Sequence, residues 1–414
     1  MNINTERLLS YLNELSQKGK ISGLQGIYRL AFSEGDLAGR AFFKEKINAA
    51  GLSEFTDGCG NIHAFYNPDK LDLPEVIIGS HIDSVPAAGH LDGSLGVMAG
   101  LECLISLKEQ GLKPERPIRL IAFSDEEGRF GGTLGSMAIA GDLTPEMIES
   151  SKDLNGISLK QAMQAAGLNA KDCLQCRIHP DKIHCFLELH IEQGPVLDQL
   201  KIPIGIVEGI AGIMKWNVRF IGVSNHAGTT PMNLRQDAFL ALSEFSLNIK
   251  KILDQSGSER SVATIGKVQL SPGTANTIPE TASFSLDFRD TDPEILSALQ
   301  KEFRKELSRI ARENRIMFEF DVLSSIEPAK CDPDVISVIE ETVKERNLNY
   351  KKMMSGAVHD TQVMAHITRT GMIFVPSCGG RSHSTAEWTH PEDLEAGANV
   401  LLHAILKLSG VKHD

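Results

Sequence analysis

The chain has 414 residues, with 54 acidic against 42 basic side chains for a formal net charge of −12, and no Lys/Arg-rich run. That length exceeds what one hydrophobic core fills, so two domains are expected, and the charge offers no electrostatic footprint for nucleic acid or an anionic membrane. There is no basic start followed by an apolar stretch and no run of about 18 apolar residues, and the seven cysteines are an odd number; the expectation is a cytoplasmic protein without a disulfide framework.

Leu8, Leu9, Leu12 and Leu15 recur at helical spacing and predict a helix over roughly Thr5–Lys18; a second runs from a Ser33 cap to about Gly51. A hairpin around Asp57–Gly60 precedes an apolar strand at Val76–Gly79, a Gly-rich loop, a helix from about Ser94 to Gln110 and a buried strand at Ile118–Ser124. Strand, helix, strand implies a parallel βαβ unit. A further apolar strand lies at Cys185–Leu189.

Near Gly209 the rhythm changes. Strand Met214–Gly222, helix Leu234–Gln255, strands Ser261–Leu270 and Thr281–Asp290, helix Pro293–Asn314 and strand Ile316–Leu323 follow in turn. This β-α-β-β-α-β order is the split ferredoxin-like pattern. Strand Gly371–Pro376 and helix Pro391–Ser409 then return to the α/β style. Residues 209–323 therefore read as an insertion in a catalytic α/β domain built from 1–208 and 324–414.

Side chains able to hold a metal gather at the strand ends. His81 and Asp83 follow the first apolar strand, Asp92 lies one short loop later, and Asp125, Glu126 and Glu127 end the next strand. His190 ends the strand at Cys185–Leu189, and His383 follows Gly371–Pro376. Open α/β sheets bind ligands at the carboxyl ends of parallel strands. Any one such residue alone reads as a cap or a solvated surface group, but the set falls at one predicted edge. Imidazole and carboxylate suit zinc or a neighbouring divalent ion, and a carboxylate shared by two ions would let a water ionise near neutral pH.

These residues also carry a resemblance. GSHIDSV, the LDG of Leu91–Gly93, DEEGRFG, LELHIEQGPVLD, HAGTTPM, the Asn276 segment, LDFRD and SHSTAEWT resemble, in order, the N-carbamoyl-L-amino-acid hydrolases and allantoate amidohydrolases. Those belong to the larger aminoacylase and carboxypeptidase clan of two-zinc hydrolases. The resemblance implies a phosphorylase/hydrolase-like α/β catalytic domain with a mixed sheet between helices, and a ferredoxin-like insertion that serves as lid and dimerisation domain. It implies two divalent ions per subunit, zinc or alternatively manganese or cobalt, held by His81, Glu127, His190 and His383 with Asp92 as the bridge. Asp83 would hold the ring of His81, and Glu126 would be the general base. Gln193, Asn276 and Arg289 match substrate contacts, the last two as a clamp on a carboxylate, for which a planar guanidinium is suited. His226 matches a histidine that stabilises the oxyanion and reaches in from a neighbouring subunit, which makes a homodimer the expected partner state.

The implied reaction is hydrolysis of a ureido carboxylate, an N-carbamoyl-L-amino acid in preference to allantoate. An aminoacylase or peptidase of the same clan is a further alternative, and a silent ureido-acid binder would have lost a ligand or the base, of which none is lost. The segment GAVHDTQ departs from the GAGHDA-like family form at Val358 and Thr361, so His359 and Asp360 are expected only to support the site. Cys173 and Cys176 form a C-x-x-C with His179, His184 and Cys185 behind it; without a second pair, incidental surface thiols are expected over a structural zinc.

Overall fold

A computed structural model describes residues 1–67 and 73–411, so the last three residues of the expected catalytic domain lie outside it. Its strands in chain order are β1 (Ser53–Thr56), β2 (Ile62–Tyr66), β3 (Glu75–His81), β4 (Ile118–Phe123), β5 (Ile183–Ile191), β6 (Ile204–Ile210) and β7 (Gly212–Ile221). They continue as β8 (Val262–Thr264), β9 (Val268–Ser271), β10 (Thr281–Asp290), β11 (Met317–Ile326), β12 (Ala329–Lys330), β13 (Tyr350–Ser355) and β14 (Thr370–Val375). The chain divides into two compact units, Met1–Glu208 with Lys330–Asp414, and Gly209–Ala329. No helix among the described residues is long and apolar enough to cross a membrane.

The larger unit is built on a mixed sheet in the order β1-β2-β4-β3-β5-β14-β6-β12, with β13 also on β6. Its centre, β4-β3-β5-β14, is parallel, and β2 and β6 flank it antiparallel. Side chains on these central strands alternate between two apolar layers, as the two-residue period of a strand requires. Val76, Ile78, Leu120, Leu187 and Leu189 join a core with the helices on one face, whereas Ile77, Ile121, Phe123 and Phe186 pack on the other with Ile139 and Met364. Both faces are covered, so the strands are apolar at most positions and do not alternate with polar residues.

The helices follow from their caps and stripes. Asn4 accepts from Arg7 N–H to start Thr5–Ser16, whose Leu8, Leu12 and Leu15 are buried. Ser33 does the same for Glu34–Ala49 through Asp36 N–H. Ser94–Glu109 is apolar on nearly every side and is buried along most of its length, as a central helix must be.

In the Gly209–Ala329 unit the sheet order is β11-β7-β10-β8, with β9 also on β10, and every pair is antiparallel. Helices Ala238–Ser256 and Pro293–Glu313 bury Phe245, Phe303 and Leu307 against Trp216, Phe284 and Phe288. Two expectations change here. The first helix begins at Ala238 and not Leu234, because the Asp237 carboxylate caps it and Met232–Leu234 forms a separate turn after Pro231. The strand expected at Ser261–Leu270 is two short strands; between them Lys267 N–H bonds the Ser285 side chain, which interrupts the ladder.

Candidate metal centre

The parallel register brings the strand ends level: His81 pairs with Phe123, and Phe374 with His190. Asp92 sits immediately before helix Ser94–Glu109, where the helix's N-terminal partial charge favours an anion. Gly93, at φ 61°, makes the turn, and a Cβ there would meet the His81 ring at 2.4 Å. Its N–H lies 3.2 Å from His190 Nε2.

Asp92 is the hub. Its Oδ1 lies 3.0 Å from His190 Nε2 and 3.9 Å from His81 Nε2. Its Oδ2 lies 3.3 Å from His383 Nε2, which is itself 3.2 Å from Glu127 Oε2. Two sets of ligand atoms, His81/Asp92/His190 and Asp92/Glu127/His383, each fall within 4.8 Å and share Asp92. The donors fit a pair of divalent ions: Glu127 Oε1 is buried without a hydrogen-bond partner, and His190 Nδ1 lies 2.8 Å from the Ile191 carbonyl, which turns Nε2 toward Asp92. A third set, Glu188/His190/His359, is also within 4.8 Å, but Ser80 and Thr361 already donate to its carboxylate.

The electrostatics are those of crowded carboxylates. Burial and the neighbouring Glu127 hold Glu126 well above the usual carboxylate range, and its Oε2 lies 3.5 Å from His81 Nε2. Burial also raises Glu127. Burial opposes charge on Asp92, yet the His190 and His383 contacts keep it well below its ordinary value. Against the cost of burial, Asp92 raises His190 to about 9; the Asp92 and Glu127 contacts raise His383 to about 10.

Asp83 acts differently from the expectation. Its backbone carbonyl lies 3.1 Å from His81 Nδ1 whereas its carboxylate is 4.0 Å away. The carboxylate instead accepts from the Glu126 and Glu127 N–H groups at 3.3 and 3.1 Å, fixing the turn that presents the two glutamates. Asp125, in that turn, has φ 54°, Gln193 has φ 58° and His383 has φ 51°, so three non-glycine residues of the site stand in the left-handed region. Gln193 donates from Nε2 to Asp92 Oδ2 at 2.8 Å.

The remaining expected residues lie in the other unit. His226 bridges to Thr277, its Nδ1 lies 3.1 Å from Gly228 N–H, and Ala227 N–H bonds the Asn276 carbonyl, so His226 and Asn276 form one cluster. Arg289 is elsewhere. It lies near the far end of β10, on the face away from the helices, with its fork on Asp287 at 2.9 and 3.0 Å. From Thr281 to Arg289 the strand covers roughly 27 Å at about 3.4 Å per residue.

Several supporting groups had no role in the sequence reading. Glu387 accepts from Leu91 and Asp92 N–H, and Ser382 bonds both Asp92 and Glu387. Proximity to His383 in SHSTAEWT was the available signal. Arg29, almost fully buried, donates to the Ile82 carbonyl and to Ser94 Oγ behind the site. His359, expected from the sequence only to support the site, is buried edge-on to His190, at 4.5 Å between ring centres. Cys173 is buried in a satellite core with Cys59, so it is no surface thiol. His179 is spoken for by Asp181 and His184 by Arg369, and no metal-holding group among the described residues includes a cysteine.

A family model described as peptidase family M20/M25/M40 matches residues 77–407. The chain is 38% identical over 411 residues to an N-carbamoyl-L-amino acid amidohydrolase of Geobacillus stearothermophilus, covering 98% of this chain and 99% of that protein. It is 34% identical over 390 residues to an allantoate amidohydrolase of Escherichia coli (strain K12), covering 94% of each. The crystal structure of an amidase of the hydantoinase/carbamoylase family from Burkholderia multivorans matches with a TM-score of 0.90 at 33% identity, over 99% of this chain and 98% of that one.

Proposed function

The chain belongs to the M20/M25/M40 peptidase family, and from that premise we propose that it hydrolyses the ureido C–N bond of N-carbamoyl-L-amino acids, giving the amino acid, ammonia and carbon dioxide. The observation that carries this reading is the pair of donor sets that share Asp92 with Glu126 beside them. A pair of zinc, manganese or cobalt ions held by His81, Asp92, His190, Glu127 and His383 would polarise the ureido carbonyl and lower the pKa of water. Glu126 takes a proton from the attacking water and hands it to the departing nitrogen, a task suited to a carboxylate whose proton affinity burial has raised. Asp83 holds the glutamate turn in place, and Gln193 orients Asp92.

The substrate contacts call for two chains. The carboxylate and ureido carbon of one small substrate lie a few bonds apart, whereas His226 and Arg289 sit toward opposite ends of β10. That separation supports a reading in which the two residues of one subunit contact different substrate molecules. We therefore propose that the ferredoxin-like 209–323 insertion is a dimerisation domain: His226, with Asn276, completes the site of a partner copy, and Arg289 grips the carboxylate at a different site from those two. The seven cysteines are free thiols, which supports a cytoplasmic location.

The test is a release assay on the purified protein with N-carbamoyl amino acids, allantoate, ureidoglycolate, N-acetyl amino acids and dipeptides, before and after chelation. Turnover of the carbamoyl amino acids, lost on chelation and restored by a divalent ion, is the expected result. Turnover of allantoate alone moves the chain to the second reading; full activity in metal-free protein refutes the mechanism.

A further inference from the structure

Glu188, His190 and Phe186 project from the same face of β5, since residues two apart on a strand point the same way. Glu188 is 1% exposed. Its Oε1 accepts from Ser80 Oγ at 2.8 Å, and its Oε2 accepts from Thr361 N–H at 3.0 Å and from Thr361 Oγ1 at 2.6 Å. These bonds tie together β3 next to His81, β5 two residues before His190, and the start of the short helix Asp360–Met364. All three donors are neutral, so they satisfy the oxygens without cancelling the charge, and a buried charge without a counter-charge is costly. A ring nitrogen of His190 and one of His359 lie within 4.8 Å of this carboxylate.

Thr361 is one of the two positions where GAVHDTQ departs from the GAGHDA-like form. An alanine there would supply the backbone donor alone; here the hydroxyl adds a second bond from one residue to the same oxygen.

We propose that Glu188 is a positioning residue for the pocket formed by His81, Asp92 and His190: it fixes a negative charge beneath His190, and Thr361 holds that charge in place. The proposal rests on the di-metal reading above. It assigns Glu188 to one of the two ion sites, and it gives the departure at Thr361 a purpose. The His190 ring is bonded through Nδ1 to the Ile191 carbonyl, so Glu188 acts on it through charge and not through a hydrogen bond; groups behind metal-bound imidazoles are worth about 10–100-fold in metal affinity.

Zinc titration of the apo-protein against a competing chelator, following two binding steps, tests this without recourse to turnover. Glu188→Gln should weaken one step by about 10–100-fold and leave the other within about threefold. Thr361→Val should weaken the same step by a smaller factor, and Thr361→Ser, which keeps the hydroxyl, should restore it. Equal shifts in both steps, or no shift in either, would overturn the proposal. Should Glu188→Gln fail to fold, the Val and Ser variants at 361 make the same comparison. Wild-type protein that takes up no divalent ion removes the di-metal reading and this proposal with it, whereas tight wild-type binding that Glu188→Gln leaves unchanged removes the proposal alone.

Discussion

Subunit mixing tests the proposed two-chain site directly. Glu126→Gln removes the proposed base, and His226→Ala removes the proposed oxyanion donor; each variant alone should be inactive. The span of roughly 27 Å from Thr281 to Arg289, at about 3.4 Å per residue, with His226 bridged to Thr277 beyond the Thr281 end, is the reason for the proposal that His226 and Arg289 of one chain serve different sites. In a mixed dimer, the site with an intact Glu126 then receives an intact His226 from the other chain, and its counterpart is dead. Random exchange makes about half the dimers mixed, each with one working site of two, so roughly a quarter of wild-type activity should return. Native mass spectrometry of differently tagged subunits reports exchange, and ureide turnover reports the site. Background activity in a sample shown to have exchanged refutes the trans assignment of His226.

Within the glutamate pair, Glu126→Gln should keep its metal and lose about 10²–10⁴-fold in kcat, whereas Glu127→Gln should lose metal occupancy, measured by elemental analysis; the reverse pattern would exchange the two roles. Arg289→Lys should raise KM for carboxylate substrates with little change in kcat, because a point charge replaces a bidentate fork; an unchanged KM takes Arg289 out of the clamp. Arg40→Met should destabilise the fold by about 3–5 kcal/mol, since it strands the buried Asp36 carboxylate that Arg40 holds at 2.7 Å and releases Ser124, just before the glutamate turn. Urea unfolding measures this, and a loss under about 1 kcal/mol would contradict it.

The parallel strands and the gathering of His, Asp and Glu at their ends were legible because both leave marks in the chain: β3, β4, β5 and β14 are mostly apolar, broken inside by such residues as Arg119 and Glu188, and each is followed or ended by a His, Asp or Glu. The split between β8 and β9 was not, since it depends on Ser285 of another strand. Short helices such as Pro145–Ser150 and Leu159–Ala165 complete too few turns to show a period. Sequence identifies Asp83 as adjacent to His81 but cannot tell which of its oxygens faces the ring; only coordinates separate the carbonyl from the carboxylate. The contacts of Glu188 and Glu387 were hidden for a related reason, as their partners lie far away along the chain, at Thr361 for one and Leu91 for the other.

The position of β14 bears on how the protein is made. It lies between β5 and β6, which adjoin in sequence, so the central sheet cannot close until residues 370–375 have been synthesised. By then the whole of Gly209–Ala329 has emerged from the ribosome and, as a compact unit with its own core, can fold in advance. His383 and the Glu387 that steadies the Asp92 loop arrive later still. A nascent chain therefore lacks His383, one of the proposed ligands, until the strand that closes the sheet has been made, so the proposed metal site can be completed only after β14 is available.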